Sequence, residues 1–75
     1  MDILAEAIEL EVKGDGQTPQ GALSVTVKNI GAKTATFNGV TLPTGETKSY
    51  PFVGKGYKAL PYLTNGSILK ILYIL

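Results

Sequence analysis

The 75-residue chain has no cysteine, no histidine, no arginine and no tryptophan. Without cysteine there are no disulfides, and losing histidine as well removes the two commonest side-chain ligands of transition metals. No metal or other cofactor is therefore expected. The absence of arginine removes the side chain best suited to bidentate phosphate recognition, which argues against a dedicated nucleic-acid binder. No apolar run approaches the roughly 18 residues of a membrane span, and no membrane partner is expected. The start, Met1-Asp2-Ile3-Leu4-Ala5-Glu6, opens on an acid where a signal peptide carries basic residues. The expected location is the cytoplasm or a virion, reached without a signal peptide.

What remains is a chain of the size of one domain, 1–75. At this length folding buries only about 60% of the surface that the unfolded chain exposes, so stability is marginal without added support. With cross-links and metals excluded, oligomerisation is the support left. Charge is unevenly spread. Asp2, Glu6, Glu9, Glu11 and Asp15 face only Lys13 in the first sixteen residues, whereas six lysines and Glu46 follow. An acidic segment of this kind can lie on a neighbour's basic surface; it can equally be the solvated face of an ordinary strand.

Strict alternation in Ile8 to Lys13 and again in Leu23 to Lys28 predicts two half-buried strands, the second with Leu23, Val25 and Val27 inward. Residues 2–7 fit a helical turn capped by Asp2, a disordered arm or a frayed or swapped strand start. Gly14 to Gly21 reads as a flexible loop, and Asn29-Ile30-Gly31 as a turn using positive φ. Asn38-Gly39 between Lys33–Phe37 and Val40–Leu42 predicts a type I′ hairpin. Pro43-Thr44-Gly45 reverses the chain into Glu46–Phe52, whose far end Pro51 consigns to a sheet edge or bulge. After the glycine-containing loop Val53–Lys58 and a short extended piece Ala59–Leu63, Asn65-Gly66 predicts a second hairpin into the terminal strand. The expectation is an all-β domain, a small antiparallel sandwich or barrel of six to seven short strands joined by hairpins.

The terminal stretch is apolar on both faces: Leu69, Ile71, Tyr73 and Leu75 on one, Ile68, Leu72 and Ile74 on the other, with Lys70 interrupting. One face can pack on the domain's own core. The other face, or the free edge of the strand, is expected to meet a second copy, so Ile68, Leu69, Ile71, Leu72, Tyr73, Ile74 and Leu75 form the candidate oligomer interface. A second candidate region interleaves lysine with aromatics: Lys48, Tyr50, Phe52, Lys55, Tyr57, Lys58 and Tyr62. Such a region can stack single-stranded nucleic acid or hold a glycan or protein, and it can equally be core with wet hydroxyls. Catalysis has little to work with. Asp15 has no second acid near it in sequence, no serine or threonine has an evident base, and the chain is not expected to be an enzyme. Leu42-Pro43-Thr44-Gly45 resembles a surface-anchoring sorting signal but lacks its variable residue, and Asn65-Gly66-Ser67 fits the glycosylation acceptor pattern. A turn accounts for each.

Val25-Thr26-Val27-Lys28-Asn29-Ile30-Gly31 with Gly39-Val40-Thr41-Leu42-Pro43-Thr44-Gly45-Glu46-Thr47 resembles immunoglobulin-like β-sandwich modules, in which strands end in Asn-x-Gly and begin after Pro-x-Gly-Glu turns. The short, cysteine-free, hairpin-built format with an apolar last strand is also similar to small all-β accessory proteins of bacteriophage virions. That resemblance implies a structural role in a head or tail, with the chain itself and other virion proteins as partners. The expected function is a structural and interaction module; the alternative is a single-stranded nucleic-acid or glycan binder using residues 48–62.

Overall fold

The computed structural model describes residues 4–75, so a cap at Asp2 lies outside it. The described residues contain no helix. They form eight strands: β1 (Ala7–Val12), β2 (Gly16–Gln17), β3 (Ser24–Asn29), β4 (Ala35–Phe37), β5 (Val40–Leu42), β6 (Thr47–Tyr50), β7 (Pro61–Leu63) and β8 (Leu69–Ile74). Two antiparallel four-stranded sheets result, ordered β1-β8-β3-β6 and β2-β7-β4-β5, and they do not close into a barrel. This order also differs from the immunoglobulin one, in which the first two strands share a sheet.

The pairing has a simple logic. β1 pairs β8, β2 pairs β7, β3 pairs β6 and β4 pairs β5. A single long hairpin with its tip at Asn38-Gly39 has these pairs; rolling it up adds the contacts β3–β8 and β4–β7. Asn38 and Gly39 have φ of 52° and 76°, the two positive values that a type I′ turn needs. This is the one true hairpin between consecutive strands; every other connection passes from one sheet to the other. Asn65 and Gly66 also take positive φ, 52° and 84°, and Ser67 N–H bonds Thr64 C=O at 2.8 Å. That turn joins β7 to β8 across the sheets, correcting the expected second hairpin. Turn chemistry sets the reversal but not which sheet receives the next strand.

The eighth strand, β2, falls in the stretch expected to be a loop. It has no apolar alternation to announce it. Polar side chains hold it instead: Leu60 N–H bonds Thr18 Oγ1 at 2.8 Å, and Thr64 N–H bonds Asp15 Oδ1 at 3.0 Å.

Inward residues of both sheets make one core: Val25, Val27, Leu69 and Ile71 from the first, Ala35, Phe37 and Leu42 from the second, closed by Ala22 and Leu60. Parity along β3 also sends Asn29 inward, where it is fully buried. Its amide donates to Lys33 C=O at 2.7 Å and Leu42 C=O at 2.9 Å. Its Oδ1 accepts from Gly31 N–H at 3.1 Å and Ser67 Oγ at 2.7 Å. Its backbone exchanges bonds with Glu46 C=O at 3.0 Å and Gly45 N–H at 2.8 Å. Asn29 thereby joins the β3–β4, β5–β6 and β7–β8 connections with no polar atom left over.

Gly31 does not take positive φ, contrary to the turn expected there. Its glycine is needed for space, because a Cβ would overlap Ser67 Oγ and the Ile68 backbone nitrogen. Gly39 is the converse case, with φ of 76° and nothing within 4 Å of an added Cβ. Gly39→Ala should therefore cost about 1–2 kcal/mol from backbone strain alone. Gly31→Ala should cost more, because backbone must move and the Asn29 network opens; equal melting temperatures for the two variants would contradict this account. Asn29→Ala strands the buried Leu42 carbonyl and the part-buried Lys33 carbonyl and is expected to lose about 2–4 kcal/mol in urea unfolding at unchanged m-value.

Candidate functional site

The terminal strand β8 is not an edge. β1 and β3 pair along its two sides, and Leu75 continues the ladder by exchanging bonds with Glu6 at 2.8 and 3.1 Å. The expectation that its free edge meets a neighbour is therefore corrected, because both rows of its backbone groups are used within the chain. Its faces divide by parity. Leu69 and Ile71 are buried in the chain's own core, and Tyr73 packs half-buried against it. Ile68, Leu72 and Ile74 lie half-buried on the other side, and Leu75 is 41% exposed at the end.

Register places each outward residue of this sheet. Ala7, Ile74 and Ser24 form one row; Glu9, Leu72, Thr26 and Ser49 the next; Glu11, Lys70, Lys28 and Thr47 the third. The outer face is thus apolar toward the end of β8 and charged toward its start. At the same apolar end, exposed hydrophobics leave the sheet: Leu4 at 85%, and Phe52 and Val53 at 60% and 63% just after β6. The strand expected over Glu46–Phe52 spans only Thr47–Tyr50, because Pro51 follows and has no backbone donor.

The lysine–tyrosine region is partly drawn together and partly scattered. Tyr62 of β7 stacks on Phe37 with centroids 6.2 Å apart, Tyr50 of β6 tilts against Phe37 at 5.9 Å, and Tyr57 meets Tyr50 edge-on at 5.9 Å. The row bridges both sheets through the buried Phe37. Tyr57 also donates its hydroxyl to Pro51 C=O. These rings therefore spend ring surface on one another. Lys48 is half-buried on the inward side of β6 beside Tyr50, whereas Lys55 and Lys58 are exposed on the loop that follows.

A cleft of about 60 Å³ opens between the sheets, lined by Leu10, Gln17, Thr18, Pro19, Tyr62, Ile71 and Tyr73. It lies on the flank where β1 and β2 are the outermost strands. Pockets that hold small molecules are typically about 300–1,000 Å³, so this one is an incompletely closed edge of the core. Among the described residues no cluster of acids gathers as a metal would require. None of their helices is long and apolar enough to cross a membrane, as there is no helix.

Comparison with protein-family models, with curated proteins and with solved structures gives no match.

The residues that sequence reading passed over are polar. Asn29 carried a signal, since it continues the inward parity of Val25 and Val27, and a buried asparagine needs partners for four bonds. Thr18 and Thr64 carried none. The aromatic row generates a prediction that separates core from binding platform. Tyr50→Ala should lower stability by about 3 kcal/mol, whereas Lys58→Ala should change it by less than about 0.5 kcal/mol. Thermal melts check both, and an unaltered Tyr50→Ala would remove the row from the core.

Proposed function

We propose that the chain is a structural and interaction module that works as a homo-oligomer without catalytic activity, and that its sheets form a β-sandwich wound as a jelly roll. The nested pairing β1–β8, β2–β7, β3–β6 and β4–β5 supports the winding. Jelly rolls occur in viral capsid proteins, lectins and cupins. A place in a virus particle, as a head or tail accessory, is the fold-level analogy that agrees best with the short, cysteine-free format.

One observation carries the oligomeric reading. The outward stripe of Leu72 and Ile74 beside Ala7 has no third layer over it among the described residues, and Leu4, Phe52, Val53 and Leu75 are exposed at the same end. Burying a leucine or isoleucine contributes roughly 1.5–3 kcal/mol, and a core of nine residues is small enough for that to matter. The small cleft favours a surface-mediated role over a pocket-mediated one. Rings committed to Phe37 count against a stacking platform for nucleic acid or sugar.

Sedimentation at micromolar concentration should give a defined oligomer, and a stable monomer would overturn the proposal. Leu72→Lys points outward, so it should shift the protein toward monomer while leaving the circular dichroism spectrum of the folded chain unchanged.

A further inference from the structure

The two edges of the first sheet differ in direction, charge and length. β1, β8, β3 and β6 alternate in direction, so the edge strands β1 and β6 run opposite ways. A copy set beside another in the same orientation therefore brings β6 against β1 of the next as an antiparallel pair. The bonds exchanged by Glu6 and Leu75 fix the phase of β1: Ile8, Leu10 and Val12 point their backbone groups at β8, and Ala7, Glu9 and Glu11 point theirs away. On β6, Glu46 C=O accepts from Asn29, so Lys48 and Tyr50 face β3 and Thr47 and Ser49 face outward. No described strand pairs with either outward row.

Charge separates the possible partners. Two β1 strands joined about a two-fold axis over their full length place Glu9 and Glu11 opposite acids of the copy, which is destabilising. Against β6 the same glutamates meet Ser49 and Thr47. The next residue in that row is exposed Lys28, whose register neighbours are Thr47 and Lys70, with no acid opposite it among the described residues. Inward, Ile8, Leu10 and Val12 are only half-buried although they face the core, and the open cleft lies under Leu10. Tyr50 and the stem of Lys48 from a neighbouring β6 would cover them.

We propose that copies of this chain join head to tail, β6 of one pairing with β1 of the next so that the first sheet runs on between subunits. This rests on the oligomeric reading above, in which another copy covers the Leu72–Ile74 stripe, and adds a second, edge-to-edge contact beside it. Such a contact is heterologous and yields a closed ring or an open filament according to the rotation between copies. The outer face then repeats the Leu72–Ile74 stripe from copy to copy.

The cysteine-free sequence gives a direct test. Glu9→Cys and Ser49→Cys chains are produced separately and also co-expressed, then treated with a short bis-maleimide. Cross-linked dimers are expected from the mixture and not from either variant alone. Dimers from Glu9→Cys alone would overturn the proposal in favour of two-fold pairing through β1. An oligomer by light scattering that yields no cross-link in the mixture would overturn the head-to-tail contact and leave the oligomeric reading standing. A monomer by light scattering would overturn both.

Discussion

Three connections of this fold converge on the side chain of Asn29, and the rest of the architecture depends on them meeting there. A rolled hairpin needs its crossovers held, because strands that change sheet leave the backbone without ladder partners at each corner. Asn29 supplies two donors and two acceptor sites inside the core, and all four are taken by Lys33, Leu42, Gly31 and Ser67. Burial in a low-dielectric site strengthens these bonds and makes an unmade one costly. The network therefore specifies one arrangement of the crossovers more than it adds net stability. Gly31 belongs to the same constraint, since only a residue without a Cβ lets the β3–β4 connection lie on Ser67 and Ile68.

The other corners repeat the device on a smaller scale. Thr64 bonds Asp15 and Lys13, Thr18 bonds Leu60, and Tyr57 exchanges backbone bonds with Gly21 and Ala22. Among the described residues no buried side-chain nitrogen or oxygen lacks a partner. The polar corners free the few apolar residues to do one task, joining the sheets through Val25, Val27, Leu69 and Ile71 on one side and Phe37 and Leu42 on the other. Tyr50, Tyr62 and Tyr73 extend that core toward the edges, whereas Phe52, Lys55 and Lys58 of the lysine–aromatic region are exposed.

The first sheet, with β1 and β6 unpaired at its edges among the described residues and an apolar stripe on its outer face, has unused binding capacity of two kinds. The edges offer directional hydrogen bonds, and the stripe offers non-directional apolar burial. Directional bonds set register and handedness of assembly, while apolar area sets its strength. In the proposed assembly the edges would supply the first and a covered stripe the second.

The sequence by itself determined that the described chain is all-β, where most strands lie, and that Val25 and Val27 face inward; Leu23, expected inward with them, precedes β3 and lies half-buried outside the core, where Ala22 is buried instead. Period-two alternation in Ile8–Lys13 and Leu23–Lys28 and the Asn38-Gly39 turn are local signals, and local geometry answers to them. Tertiary structure alone decided that Asn65-Gly66 leads into the other sheet, that β8 is flanked on both sides, and that Gly16–Gln17 is a strand. Each of these turns on which strand lies beside which. That choice is made by the sum of long-range pairings and by the buried bonds of Asn29, Thr18 and Thr64, whose partners lie up to 51 residues away along the chain. A side chain's partner at that distance leaves no trace in its neighbours in sequence.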